Sequence, residues 1–431
     1  MEYLPIIVLI VSFLGLLLIG VPVAWSIAIS SLLTMLASIP ALPALTTVSQ
    51  RIGTGLDSFA LLAIPFFVLS GQLMNKGGIA HRLIAFAKTL VGALPGGLAL
   101  INVIAAMLMG AIAGSAMASA SAMGSILGPE MEKEGYSKEF GAAVNITSAT
   151  TGLIIPPSNI LIVYSLASGG VSIAALFLAG YIPGILTGLL LMIVASVWAK
   201  KKNYKVGKRS SFKEIFKTFV DAFPSLMLLV VVIGGIVVGI FTATEASAIA
   251  VLYTLILAFW YKEISVKNLP QILLDSCGTT AIVMLLIGAS MSMSWVMSYE
   301  NIPQDISNLL LGLSDNTIVI LLIINLLLLF VGIFMDMTPA VLIFTPIFLP
   351  IITKLGMDPI QFGIIMVLNL CIGLCTPPVG SVLFVGVGIA NTTIEKVVKP
   401  LLPLFIAMVV SLFLVTYFPQ LSLWLPSLFD L

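Results

Sequence analysis

Apolar windows near the roughly 20 residues needed to cross a bilayer recur from one end of this chain to the other. That repetition limits the fold more than any single motif does. Lipid offers no partner to backbone amides and carbonyls, so a spanning chain must satisfy them within helices or a closed barrel. Nothing in the chain calls for a sheet, and the expectation is an all-α polytopic membrane protein. Composition agrees: 60% of residues are hydrophobic, 9% are charged and the mean hydropathy is +1.20. A water-soluble domain carries about a quarter charged residues. No soluble domain of useful size remains. The first apolar run lacks a basic flank and a small-residue cleavage site, so it is expected to stay as a helix and not to be a signal peptide. A net charge of +1 gives no reason to expect nucleic acid.

The chain is self-similar. PEMEKEG (129–135) matches PIITKLG (350–356) at Pro, Lys and Gly with a shift of 221. The same shift carries Pro156-Pro157 onto Pro377-Pro378, within TGLIIPPSN (151–159) and IGLCTPPVG (372–380). Long apolar helices beginning at FGAAV (140) and FGIIM (362) feed both pairs, and small-residue interruptions precede them at GSAMASA (114–120) and GIFMDMTPA (332–340). Self-similarity of this kind defines the architecture before any local reading does. It predicts a first repeat over residues 1–200, a basic loop at 201–217 and a second repeat over 218–431.

Charge orients the repeats. Lys200, Lys201, Lys202, Lys205, Lys208, Arg209, Lys213 and Lys217 crowd one loop, which the positive-inside rule places in the cytoplasm. Spans are expected near 4–20, 22–40, 57–75, 138–168, 172–199, 220–240, 243–261, 275–297, 359–391 and 400–418. With 97–132 and 317–353 drawn as re-entrant hairpins, 17 of the 19 Lys and Arg lie on the cytoplasmic side, leaving only Arg51 and Lys354 outside. Both termini then fall outside the cytoplasm, and the two repeats have opposite orientations. Inverted repeats with interrupted helices at the midplane are the architecture of secondary transporters.

The interruptions suggest the chemistry. Consecutive prolines remove donors and push the preceding residue out of helical geometry, freeing carbonyls of the turn before them. Those oxygens, with hydroxyls of Thr150, Thr151, Ser158 or Thr376, suit a hard cation such as Na⁺. Half-helix C-termini add partial negative charge, and half-helix N-termini favour an anion. Ser115, Ser119 and Ser121 supply uncharged oxygens at the first bend, although close packing of small residues, including Gly110 and Gly114, reads equally well there. Asp336, an acid in an apolar context, is a functional candidate by default. Its alternative is a carboxylate that caps the second arm of its own hairpin. Asn102, Asn145, Asn325 and Asn369 are more readily cross-links between helices. Asp57, Glu245 and Asp275 sit near span ends. His81 and Arg82 belong to an amphipathic stretch, 75–93, expected to lie along the membrane. Trp25 reads as an interfacial anchor. Cys277, Cys371 and Cys375 read as small buried apolar residues.

The runs DSFALLAIPFFVLSGQLM (57–74), LPGGLALINV (94–103), GSAMASASAMGSI (114–126), GYSKEFGAAV (135–144), IIPPSN (154–159) and GIFMDMTPA resemble the large membrane (M) subunit of TRAP transporters, the tripartite ATP-independent periplasmic transporters. The resemblance covers nearly the whole chain. It implies Na⁺-driven uptake of an organic acid, of the sialic acid or C4-dicarboxylate class, across a bacterial inner membrane. It implies an elevator, in which a transport domain holding both hairpins slides against a scaffold. It also implies two partners, a small four-helix Q subunit and a periplasmic substrate-binding protein. Because the first apolar run already begins the M-like unit, Q is expected as a separate chain.

By matching motifs, the resemblance puts one Na⁺ site among Ser115, Ser119, Gly152, Pro156 and Ser158. It puts a second among Asp336, Thr338, Gly373, Thr376 and Gly380. Ser121, Thr150, Asn159 and Ser381 become the candidate substrate contacts. A stand-alone Na⁺- or proton-coupled anion symporter is the alternative, sharing the hairpins but needing no binding protein. An enzyme is not expected, since the lone His lies outside the spans and no acidic pair at helical spacing falls within one. Nor is a channel, which wants carbonyl rings from several subunits.

Overall fold

The computed structural model describes residues 4–113, 115–207, 209–314, 316–429 and 431. Among them every regular element is helical. The first ten are α1 (Leu4–Leu18), α2 (Val23–Ser38), α3 (Ala41–Leu56), α4 (Ala63–Lys76), α5 (Ile79–Val91), α6 (Gly97–Ala113), α7 (Ala116–Lys133), α8 (Lys138–Thr151), α9 (Asn159–Ala167) and α10 (Ile173–Lys201). The rest are α11 (Phe212–Val237), α12 (Ala243–Trp260), α13 (Leu269–Tyr299), α14 (Ile302–Leu313), α15 (Thr317–Phe334), α16 (Met337–Lys354), α17 (Pro359–Leu374), α18 (Ser381–Ile389), α19 (Ile394–Tyr417) and α20 (Gln420–Ser427). Eight helices among the described residues are long and apolar enough to cross a membrane. The chain is a multi-pass membrane protein.

Caps fix where the helices begin. At α12, Thr242 Oγ1 accepts from the Glu245 amide at 3.2 Å while the Glu245 carboxylate accepts from the Thr242 amide at 2.8 Å. Each thus satisfies a donor that the first turn leaves orphaned. Asp275, another acid near a span end, pairs with Lys76 at 2.7 Å. Three helices, α3, α14 and α20, stand where no span is expected. The α14 and α20 helices are short, and α3, although as long as α2, carries exposed Thr46 and Thr54, so none shows a membrane-length apolar run; α3 instead packs along α13 and α2. The α13 helix itself starts before the expected 275. Cys277 on it is exposed, not buried, because that face of α13 looks outward. The amphipathic stretch becomes α5, whose Ile79, Leu83, Ile84 and Ala87 are buried against α6 and α11.

The stretches 138–168 and 359–391 are each two helices with a non-helical link, α8 to α9 and α17 to α18. The Pro156-Pro157 and Pro377-Pro378 bonds in those links are cis. The two interrupted stretches run antiparallel through the core. Tyr164 OH donates to the Pro359 carbonyl (2.6 Å), Cys371 Sγ to the Thr150 carbonyl (3.2 Å) and Cys375 Sγ to the Ile146 carbonyl (3.4 Å). As the number rises on one strand of the crossing, it falls on the other.

Two glycine pairs let the hairpins lean on these stretches. A Cβ added to Gly110 on α6 would lie 2.4 Å from the Gly152 Cα, and one added to Gly373 would lie 2.5 Å from the Gly332 Cα on α15. Only glycine lets backbones come this close. Near each contact a polar link spans the same two elements. Asn102 Oδ1 accepts from Ser148 Oγ at 3.0 Å, and Asn325 Oδ1 accepts from Asn369 Nδ2 at 2.5 Å. These asparagines therefore knit helices together. Asn145 does the same for α7 and α8, donating from Nδ2 to the Ala120 carbonyl at 2.7 Å.

Candidate functional site

The glycine contacts seat each hairpin bend beside a helix break, and both pairs face one cavity of about 410 Å³. Its wall is made of first turns: Ser115–Ala118 of α7, Asn159 and Ile160 of α9, Asp336–Thr338 of α16, and Ser381 and Val382 of α18. Four helix N-termini therefore converge. Their unpaired amides and macrodipoles make the space favourable for negative charge. From the other side α4 and α13 close the cavity with apolar residues and three polar ones, Gln72, Asn75 and Thr279.

Among the described lining residues Asp336 is the sole charged one. It is the N-cap residue of α16, yet its carboxylate accepts no capping hydrogen bond, and it is exposed to the cavity. Ser115 holds the matching place at α7, and its Oγ accepts from the Ala118 amide at 3.3 Å. The Ser381 Oγ and Asn75 Oδ1 have no partner among the described residues although both atoms are buried. In a folded chain such groups normally find a partner or a ligand.

The breaks lie just behind. Among the described residues the carbonyls of Ile154, Ile155, Pro156 and Pro157, and of Leu374, Cys375, Pro377 and Pro378, accept no hydrogen bond. Ser158 Oγ closes the first break on the Leu153 carbonyl at 2.5 Å, and Thr376 Oγ1 donates to the Ile372 carbonyl at 2.7 Å. Ser119 is fully buried one turn along α7, and its Oγ has no partner among the described residues. The free carbonyl oxygens, with no hydrogen to offer, are ligands for a hard cation, and the Ser119 hydroxyl can add its lone pairs.

Five of the residues singled out from sequence meet in the cavity: Ser115, Asn159, Asp336, Thr338 and Ser381. Ser119, Pro156, Ser158 and Thr376 stand behind its wall. Gly152 and Gly373 serve the backbone contacts described above, and Gly380 caps α18 hard against the Leu374 carbonyl. The structure does not bring Thr150 or Ser121 to the cavity. Thr150 turns into the helix crossing, donating to the Thr147 carbonyl at 3.0 Å and lying 3.6 Å from Cys375 Sγ. Ser121 is exposed, about 200° around α7 from buried Ser119 at 3.6 residues per turn. Gly114, part of the first bend, lies outside the described residues, as does Lys208 of the basic loop.

Gln72, Asn75 and Thr279 escaped notice in the sequence. The signal lay in a stripe on α4: Ile64, Val68, Gly71, Gln72 and Asn75 recur at helical spacing, and two of them are amides in a spanning segment. Among the remaining candidates, Arg82 lies 3.6 Å over the ring of Tyr261 and donates to the Gly78 carbonyl at 3.0 Å. His81 is exposed and Trp25 is 53% exposed.

A multi-pass helical bundle with interrupted, antiparallel helices meeting at one central cavity has the form of a membrane permease. The family model of the tripartite ATP-independent periplasmic transporter, DctM component, matches residues 10–421. The chain belongs to that family. It is similar to an uncharacterized protein, YgiK, of Salmonella typhimurium, at 58% identity over 99% of each chain. It is also similar to the isethionate TRAP transporter permease protein DctMQ of Oleidesulfovibrio alaskensis, at 41% identity over 97% of this chain and 66% of that one. The sialic acid TRAP transporter large permease protein SiaM of Vibrio cholerae is 38% identical over 97% of each. Among solved structures, the crystal structure of the Alcanivorax borkumensis YdaH transporter shares the fold. Its TM-score is 0.66 at 14% identity, covering 88% of this chain and 89% of that one.

Proposed function

We propose that this chain is the permease of a sodium-coupled secondary transporter that takes up a small organic acid anion across the bacterial inner membrane. One observation carries the reading: four helix N-termini meet in a single cavity whose one charged lining residue, among those described, is Asp336. The N-termini favour the anion, and the orphaned break carbonyls with Asp336 favour the cation. Bringing both into one space lets each stabilise the other, which is what coupled uptake requires. Two sodium ions are the natural complement. One takes Ser115, Ser119 and the carbonyls of the first break; the other takes Asp336, Thr338 and those of the second.

The substrate class rests on the relatives. Isethionate and sialic acid, named for two of them, are a sulfonate and a carboxylate, and amide and hydroxyl groups at helix N-termini serve either. With no cationic side chain among the described residues of the cavity wall, Asn159, Ser381, Gln72, Asn75 and Thr279 are the groups left to select among acids. A periplasmic binding protein and a Q subunit complete the assembly.

The antiparallel crossing and the repeated glycine contacts support two inverted repeats, and the two hairpins with their interrupted helices form the moving body of an elevator. The cavity follows α4 down to Asn75, beside the Lys76–Asp275 pair and on the lysine-rich side of the molecule. That is the cytoplasmic side by charge, so the state described is open inward. Thiol labelling tests the inversion: Lys133→Cys and Lys354→Cys should react with an impermeant reagent from opposite sides.

The decisive experiment is reconstitution with both partners in liposomes, with labelled sialic acid, isethionate and succinate as probes. A sodium gradient should drive accumulation of at least one of them. Equal accumulation under a potassium gradient would remove the coupling, and full activity of this chain alone would favour the symporter without a binding protein.

A further inference from the structure

A second cavity, of about 310 Å³, lies between α7, α8 and the end of α18. Its mouth is on the lysine-rich side, where Lys138 Nζ stands 3.4 Å from the Glu132 carboxylate. At its inner end are Asn102 and Asn145. Asn145 is only 3% exposed, and its orientation is fixed by the bond to the Ala120 carbonyl, since a carbonyl can meet only the amide nitrogen. That leaves Oδ1 as a buried acceptor without a partner. The adjacent residue on α7 is Ser119, whose buried Oγ is also unpartnered. Two lone oxygens therefore belong to residues beside Ala120: one on Asn145, which lines this cavity, and one on Ser119, next to it in the chain. Leaving either unpaired is costly unless something with a positive end meets it.

We propose that this cavity is the cytoplasmic vestibule of the first cation site, with Asn145 Oδ1 as its innermost oxygen. A partly hydrated sodium ion pauses there on its way between Ser119 and the lysine-rich face. The inference rests on the reading that a cation binds at the first bend. Neutral oxygens inside and a Glu132 offset by Lys138 at the mouth make a weak station, and a weak station suits passage because the ion must also leave. The walls are small. A Cβ at Gly124 would press on Asn145 Nδ2 at 2.7 Å, whereas one at Gly128 would meet nothing within 4 Å, so the passage is open at Gly128.

Gly128→Cys in a Cys277→Ser background gives a thiol that can be plugged, the other two cysteines being buried. The purified, full-length protein is loaded with ²²Na⁺ before and after reaction with trimethylammonioethyl methanethiosulfonate. Before reaction, exchange should match wild type. After it, loading and release should both slow several-fold while the amount bound at equilibrium stays the same. Asn145→Leu, which removes the inner oxygen, should slow exchange without a plug. Unchanged rates after complete modification would overturn the vestibule. So would loss of equilibrium binding, because Gly128 would then belong to the site and not to a route. A wild-type protein that holds no ²²Na⁺ would bring down the parent reading and the vestibule with it.

Discussion

At the first bend a serine begins α7, its hydroxyl engaged with the Ala118 amide, and the break behind it is closed by Ser158 and buried. At the second bend an aspartate begins α16 with its carboxylate free, and the break behind it has Val379 where the first has Ser158. Pro378 and Val379 are exposed there. The same framework of glycine contact, asparagine link and proline pair thus surrounds two different bends. One is closed and built from neutral oxygens; the other is more open and carries the formal charge. A carboxylate can be left free only where a cation or solvent can reach it, so charge and openness go together. The shared framework positions the two bends; on the proposed reading, it is the unshared residues that bind.

The largest effect should come from breaking the framework. Gly110→Ala drives a methyl to 2.4 Å from the Gly152 Cα, backbone against backbone, with no flexible side chain to yield. A loss of about 3 kcal/mol is expected from such overpacking, read as a lower unfolding temperature in detergent. The matching change in the second half, Gly332→Ala, meets the Gly373 Cα at 3.1 Å and should cost about 1 kcal/mol. Equal losses would mean that the two crossings are alike and that the difference between them lies only in the side chains.

Next in size is Asp336→Ala. Removing a charged ligand costs about 3 kcal/mol, so sodium affinity should fall about 100-fold and sodium-dependent uptake should disappear, with membrane insertion intact. Normal sodium activation in this variant would take the charge out of the site and leave the two bends functionally equivalent.

Much of this was legible before any coordinates. A chain with few charges and membrane-length apolar runs has one way to satisfy its backbone, and paired prolines announce where the helices stop. Asp336 stood out because a carboxylate in lipid is costly enough to need a reason. The glycine contacts were not legible, because Gly110 and Gly332 look like any helix glycine until the partner strand is in place. Thr150 pointed the wrong way for a substrate contact for a similar reason: a buried helical threonine can bond back to its own turn, and sequence does not say which neighbour it will prefer. Gln72 and Asn75 lay hidden in a segment whose length alone was informative. The α3 and α14 helices lacked the apolar run that revealed the others.

Smaller effects bear on the neutral bend. Ser119→Val removes an unpaired buried hydroxyl worth about 1 kcal/mol as a ligand, so sodium affinity should drop about fivefold with little change in apparent affinity for the acid. A larger shift for the acid than for sodium would move Ser119 from the cation to the substrate. Ser121→Val is the companion measurement, with the smallest expected effect. Its side chain lies on the exposed face of α7, away from both bend and break, so sodium activation and uptake should stay within about twofold of wild type, as for surface changes generally. The pair separates a site from a run of small residues. If Ser119→Val and Ser121→Val behave alike, the hydroxyls of the first bend are packing, and Asp336 alone carries the ion.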